Sequence, residues 1–367
     1  MNKKEIKWLY NEAQRIVEKA KVIARDGTIF YGPGIYQGIW MRDFEFLLNN
    51  APELVQPLEI KKTYYAFLKH QRCDGSVPKS LNPNGYPSYV CWGRGESTEA
   101  DSAQYMVKMV YDYYQYTGDI ELFASTSSNL KRAMDSMPRS SLGLIWIDPD
   151  FPHTGFGFTD CIVKTGNEFF CSLLYWEASI LMSAMLKKIG NMNLALEFSE
   201  RAKKVEKNIG VLWDEKQGAY LAATVDGRKV DIWGNAYMLY IGFPSKNKKD
   251  VGKFLTENYD RIIYNGQVRH LLQGEVWEKM RHPNTGDIPE GEYQNGGYWG
   301  LASGWAAYSI AQHNRSLAEK LFADLIEFYR QEGIYECVND RGYRKYEDYV
   351  ASAVNPLGAI EKLQDDF

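Results

Sequence analysis

No two cysteines stand at C-x-x-C spacing anywhere in these 367 residues. The five that occur (Cys73, Cys91, Cys161, Cys171 and Cys337) are odd in number and scattered. That excludes a thiolate zinc site, offers no disulfide framework, and predicts a reduced, cytoplasmic protein. Histidine is equally scarce: His70, His153, His270, His282 and His313 stand singly, so neither a metal nor any other cofactor is expected. Of these only His153 lies near a segment with chemistry in it. The net charge is −4 with no run of five like charges, which argues against a nucleic-acid partner. No stretch of about 18 apolar residues predicts a membrane span, and Met1 to Ile6 runs straight into a charged amphipathic pattern without an apolar signal region. Internal repeats, low-complexity tracts and Pro/Gly/Ser-rich linkers are missing too, so one domain over residues 1–367 is expected. Nothing in the pattern sets an oligomeric state.

What is present is an ordinary globular balance, 45% hydrophobic and 25% charged, with an unusual load of aromatics: 26 Tyr and 10 Trp. A large helical core takes most of them, and some are free to face a ligand. Ile6, Leu9, Ala13, Ile16, Ala20 and Ile23 step by three and four and predict one amphipathic helix. Leu194, Phe198, Ala202, Val205 and Ile209 predict another. By contrast, 169–185 and 300–311 are apolar nearly all round and must be buried on every face. Helices of these two kinds in one chain predict two concentric layers, the apolar ones inside. About ten to twelve helices fit the length at roughly thirty residues per helix and loop. Short strands are expected near Ala219–Gly227, where a Val225-Asp226-Gly227-Arg228 turn could close a hairpin.

Four loop-like segments join acids to aromatics and glycines: Trp40-Met41-Arg42-Asp43-Phe44, Gly157-Phe158-Thr159-Asp160, Glu292-Tyr293-Gln294-Asn295-Gly296-Gly297-Tyr298-Trp299 and Tyr335-Glu336-Cys337-Val338-Asn339-Asp340. Carboxyls that move protons beside rings that stack on sugars are the ingredients of a carbohydrate-cleaving cleft. Asp160 among Phe151, Phe156 and Phe158 would be a desolvated acid, or else simply the N-cap of the next helix. Glu336 would hold water, or pair with Arg341 or Arg344. Arg42 and Asp43 would grip hydroxyls, or pair with each other. Asn295, Tyr298 and Trp299 offer an amide and two rings beside a tight glycine turn, and Asp101 leads a helix that could line the same face. Glu290 and Glu292 are reserve candidates for the base.

In this order the segments resemble the (α/α)6-barrel glycoside hydrolases: neutral/alkaline invertases, trehalases and glycogen-debranching glucosidases. Trp40–Phe44 is similar to the invertases' V-R-D-F, Phe158–Asp160 to the clan's W-T-D or W-M-D, Tyr293–Trp299 to Y-H-N-G-G-S-W, and Tyr335-Glu336 with Asp340 to P-E-Y-Y-D. The chain departs from the invertases at Phe158, Gly300, Cys337 and Val338, so the resemblance is to the clan and does not imply sucrose. It implies an all-α toroid of two helix layers. It also implies an inverting hydrolase in which Asp160 is the general acid and Glu336 the general base. Trp40, Arg42, Asp43, Asp101, Tyr293, Asn295, Tyr298 and Trp299 would then hold a carbohydrate substrate, a small oligosaccharide or chain-end glycoside. The alternatives on the same barrel are an unsaturated-uronide hydrolase, a sugar epimerase and a phosphorylase. From another class comes a sugar-binding protein without catalysis.

Overall fold

Burial sorts the helices as their sequences require. The structure, a computed structural model, describes residues 3–24, 27–281 and 288–366; His282 lies outside them. In chain order the helices are α1 (Lys3–Lys19), α2 (Met41–Asn50), α3 (Pro57–Leu68), α4 (Ser102–Thr117), α5 (Glu121–Asp135), α6 (Phe169–Lys188), α7 (Met192–Asn208), α8 (Ile232–Tyr240), α9 (Lys248–Glu257), the single turn α10 (Tyr259–Ile262), α11 (Ser303–Ala311), α12 (Arg315–Glu332) and α13 (Val350–Asp366). Packing closes a ring: α2 lies against α4, α4 against α6, α6 against α8, α8 against α11, α11 against α13, and α13 against α2. Outside it α1 covers α13, α3 and α5 cover α4, α7 covers α6, α9 covers α8 and α11, and α12 covers α11. Outer and inner helices alternate along the chain, giving six hairpins in an (α/α)6 toroid of two layers.

The outer helices are one-sided. Helix α1 buries Leu9, Ala13, Ile16 and Val17, and α7 buries Ala195, Phe198, Ala202 and Val205. Helix α6 is long and apolar enough to cross a membrane by length and composition, and here that surface is spent inside the ring. Not every inner helix is apolar. Helix α2 buries Arg42, Asp43 and Glu45, and Lys108 of α4 meets Glu45 at 3.3 Å and Glu177 at 2.8 Å. Arg42, Glu45 and Lys108 are tolerated out of water because each meets an opposite charge, while Asp43 accepts from the Tyr349 hydroxyl instead.

Two local expectations need correcting. The first apolar stripe is not one helix: α1 stops at Lys19, and Lys21–Ile23 pairs antiparallel with Ile29–Tyr31, leaving Ile23 72% exposed. The carbonyl of Ala20 bonds Gly32 N at 2.9 Å, pulling the chain out of helix and into a hairpin. Farther along, Ala219–Tyr220 pairs with Trp213–Asp214 rather than across the Val225–Arg228 turn. No hydrogen-bonded turn forms at Val225–Arg228 among the described residues, and one isolated bridge, Leu221–Val230, spans the segment. The largest sheet has five antiparallel strands in the order Ile263–Tyr264, Gln267–Arg269, Tyr298–Trp299, Tyr335–Val338 and Arg344–Glu347.

Candidate active site

The segments that precede the inner helices converge on one cavity of about 360 Å³. Its wall includes Trp40, Arg42 and Asp43 at the start of α2, Phe158 and Asp160 from the loop before α6, Tyr293 and Gln294 from the glycine segment, and Glu336 and Lys345 from the last two sheet strands. Tyr36, Tyr346 and Tyr349 complete an aromatic rim, with the Tyr36 ring 5.7 Å from Trp40 and 4.7 Å from Tyr346.

Asp160 ends the one-turn 3-10 helix Gly157–Thr159. It is not the N-cap of α6; Glu168 takes that place, accepting from Cys171 N at 2.6 Å. Asp160 Oδ1 accepts from Gln294 Nε2 at 2.7 Å and from Cys161 Sγ at 3.4 Å, and the backbone carbonyl of Asp160 accepts from the Trp92 indole. Phe156 and Phe158 are buried beside this loop, whereas Phe151 is 59% exposed and forms no part of an apolar cage. The loop is pinned from below. Arg42 Nη1 lies 2.7 Å from Glu99 and 3.5 Å from Asp101, and Asp101 accepts from Gly157 N at 2.9 Å. A Cβ at Gly157 would fall 1.7 Å from the Arg42 guanidinium, so only glycine lets the loop cross it. Arg42 therefore pairs with Glu99 and Asp101 rather than bonding Asp43, whose Oδ1 accepts from the Tyr349 hydroxyl at 2.9 Å. Burial pushes Asp43 up to about 6, against the pull of Arg42 and Tyr349.

Glu336 sits on the Tyr335–Val338 strand, paired on one side with Tyr298 and on the other with Arg344–Glu347. Both its oxygens accept from the Tyr36 hydroxyl, at 3.1 and 3.0 Å, and Lys345 Nζ is 3.6 Å away. Neither Arg341 nor Arg344 is its partner: Arg341 reaches the Glu290 carbonyl and Arg344 reaches Glu332 at 3.6 Å. Burial lifts Glu336 to about 8; Lys345 and Tyr36 pull it down, while Asp160 and Asp43 push it up. Lys345 also stands 3.0 Å over the Tyr293 ring. Tyr293 and Tyr346 both hold φ of 41°, a left-handed conformation that costs a non-glycine residue about 1–2 kcal/mol. Strain kept on two rings of one cavity wall is strain the surroundings enforce.

Solved structures of three bacterial glycosidases match this architecture. A rhamnosidase from Klebsiella oxytoca, with rhamnose bound, has a TM-score of 0.71 at 12% identity over 99% of this chain and 65% of its own. A GH63 mannosylglycerate hydrolase from Thermus thermophilus, in complex with glucose, has 0.67 at 14% over 95% of this chain and 99% of its own. A GH78 family rhamnosidase of Bacillus sp. GL1 has 0.65 at 14% over 95% of this chain and 34% of its own. This is the six-hairpin glycosidase fold. No family model and no curated protein matches the sequence.

On this six-hairpin frame Trp40, Arg42, Asp43, Asp160, Tyr293 and Glu336 come together at the cavity, and four other expected residues do not. Asp101 is fully buried behind Arg42. The Asn295 amide is consumed by Trp277 N at 3.1 Å and the Ile288 carbonyl at 2.9 Å. Tyr298 and Trp299 form the middle strand of the five, where neighbours cover both edges. Trp299 then supports the cavity from outside, donating its Nε1–H to the Tyr293 carbonyl at 3.2 Å. The reserve acids Glu290 and Glu292 are not on the wall either. Sequence reasoning missed Gln294, although it lies inside a quoted segment, and also Tyr36, Lys79, Lys345, Tyr346 and Tyr349. Lys345 was findable only through the pairing of Cys337 with Lys345 across two strands. Cys91 and Cys161 line the cavity as thiols beside Asp160, with burial pushing both well up.

Proposed function

We propose that this chain is a glycoside hydrolase that inverts the anomeric centre of a small oligosaccharide or chain-end glycoside. One observation carries the reading: two carboxyls, Asp160 and Glu336, are delivered from different parts of the toroid to one aromatic-walled cavity. Asp160 gives its proton to the glycosidic oxygen as the bond to the anomeric carbon breaks. Glu336 takes a proton from the water that attacks the opposite face of the ring. Trp40 and Tyr36 stack on the sugar, and the Asp43 carboxylate accepts from its hydroxyls. The Tyr36 hydroxyl and the Lys345 ammonium both favour ionised Glu336, as a base requires. The rhamnosidases and the mannosylglycerate hydrolase with the same fold support the reaction class, and at 12–14% identity they leave the sugar open.

The test is hydrolysis of a panel of aryl glycosides and oligosaccharides by the wild type, Asp160→Asn and Glu336→Gln, with NMR of the first-formed anomer. Turnover with inversion, reduced about 10²-fold or more on the oligosaccharides in both variants, is the expected result. Full activity on the oligosaccharides in either variant removes that residue from the mechanism. A retained configuration replaces direct attack of water on the substrate by a covalent glycosyl-enzyme that water then hydrolyses. If no glycoside is cleaved, the uronide hydrolase, epimerase and binding-protein readings come forward.

A second reading exchanges the two roles, because Glu336 is the carboxyl lifted to about 8 and a raised carboxyl suits an acid. Aryl glycosides with good leaving groups separate the two, since they need no proton from the enzyme. The variant that keeps its rate on them has lost the acid.

A further inference from the structure

Apart from the carboxyl pair's cavity, with which it shares no wall residue, a basin of about 350 Å³ opens between the 139–143 turn, α6 and α7. Its wall is Arg139, Ser140, Gly143, Tyr175, Arg201 and Lys204, with no carboxylate among them. Tyr175 is 1% exposed, and its hydroxyl oxygen accepts from Arg139 Nη1 at 2.5 Å and from Arg201 Nη1 at 3.3 Å. A guanidinium has only donors. Both bonds therefore use the oxygen's lone pairs, and neither arginine can take the Tyr175 O–H hydrogen. Ser140 repeats the pattern, its Oγ accepting from Leu142 N at 3.3 Å. Lys204 lays its stem against Gly143, where a Cβ would come within 2.9 Å of it. Gly143 at φ 79° is thus what makes room for the third cation.

The counter-charges are accounted for. Arg201 Nη2 is held by Asp135 at 2.5 Å and by Glu197, and neither carboxylate lines the basin. Among the described residues Arg139 and Lys204 have no carboxylate within ion-pair reach. The wall therefore offers two cations without a carboxylate partner, the Nη1 side of Arg201, and two hydroxyl hydrogens, with no acid side chain among them. We infer that this basin binds a phosphoryl group, either free phosphate or the phosphate of a small metabolite. A tetrahedral, multiply charged oxyanion satisfies a planar guanidinium, an ammonium and a hydroxyl together. The inference does not depend on the glycosidase reading.

Thermal unfolding tests it, with the full chain titrated with sodium phosphate, glucose 6-phosphate and sodium chloride at matched ionic strength. The expected result is a saturable rise in Tm with the phosphates that chloride does not give. In the double variant Arg139→Gln/Lys204→Gln, at least tenfold more phosphate is needed for the same rise, and Tyr175→Phe falls between. Arg139 and Lys204 are exposed, so an unchanged Tm in chloride certifies the fold of the double variant, and the single variant Lys204→Gln serves if it does not. Saturation at lower glucose 6-phosphate than phosphate assigns the site to a phosphorylated metabolite, and the reverse order assigns it to the free ion. A rise equal in wild type and variants, or one that never saturates, overturns the inference, because excluded salts stabilise any fold in that way.

Discussion

Asp160 and Glu336 face the same cavity from supports built on opposite principles. The Asp160 loop has little regular structure and is held by charge: Arg42 under Gly157, with Glu99 and Asp101 locking Arg42. Glu336 stands on a strand between two others, and what acts on it is burial, checked by one ammonium and one hydroxyl. The first support is strong only while every member is present. The second holds its backbone whatever the side chain becomes, and it leaves the carboxyl poorly solvated.

The comparison breaks most sharply at Arg42. Arg42→Met leaves Glu99 and Asp101 without their shared cation, and removing one partner of a buried pair costs about 3–5 kcal/mol. The expected outcome is a loss of that size in denaturant titration, together with loss of turnover. A stable variant would mean that Lys79, 3.1 Å from Glu99, carries the network instead. Gly157→Ala is milder in stability and still harmful in rate. Its methyl displaces the Arg42 guanidinium and shifts Asp160, and a displacement of about 1 Å can cost 10²-fold in kcat/KM.

On the other side, Glu336→Gln is expected to lower turnover of oligosaccharides about 10²-fold or more and to stabilise the protein. The folded carboxyl titrates near 8 against an ordinary 4.5, so its contribution is complete below pH 4.5 and is lost as the pH rises to 8. The variant therefore melts a few degrees above wild type at pH 8 and near it at pH 4.5, as parallel melting curves would reveal. Lys345→Met is the smallest change. With the ammonium gone, Glu336 ionises at higher pH, so the rising limb of the kcat/KM profile moves to more alkaline pH with the plateau largely kept. An unmoved limb would place Lys345 outside the proton chemistry.

The two-layer toroid was legible because α6 and α11 are apolar on every face while α1 and α7 are not. The inner identity of α2 and α4 was hidden by their charges, since Lys108 meets Glu45 and Glu177 from helices far apart in sequence. The acids and rings of the cavity were legible as segments, because the residues next to each acid fold with it. Which member of a segment faces the cavity was not. Gln294 points in and the Asn295 amide is spent on backbone, a choice made by one residue of phase in an irregular turn. Trp299 carries the same lesson, since a ring that reads as a stacking platform is covered once its strand becomes the centre of a sheet. Lys345 and Tyr36 bear on Glu336 from strand pairing and from 300 residues away, and no local pattern announces either.

Strict alternation of outer and inner helices has an electrical consequence. Since every inner helix is reached from an outer one, the inner helices run the same way, and the cavity residues Trp40 and Tyr349 stand immediately before α2 and α13. Each helix start carries roughly half a positive charge, fading within one turn. Acids crowd these starts: Asp43 in the first turn of α2, Asp101 before α4, Glu168 before α6 and Asp231 before α8. At the far end Lys362 donates to the Tyr240 carbonyl where α8 finishes, and Lys188 closes α6. The toroid thus has a poled axis, and loops at the cavity mouth can acquire new carboxylates on ground already biased in their favour.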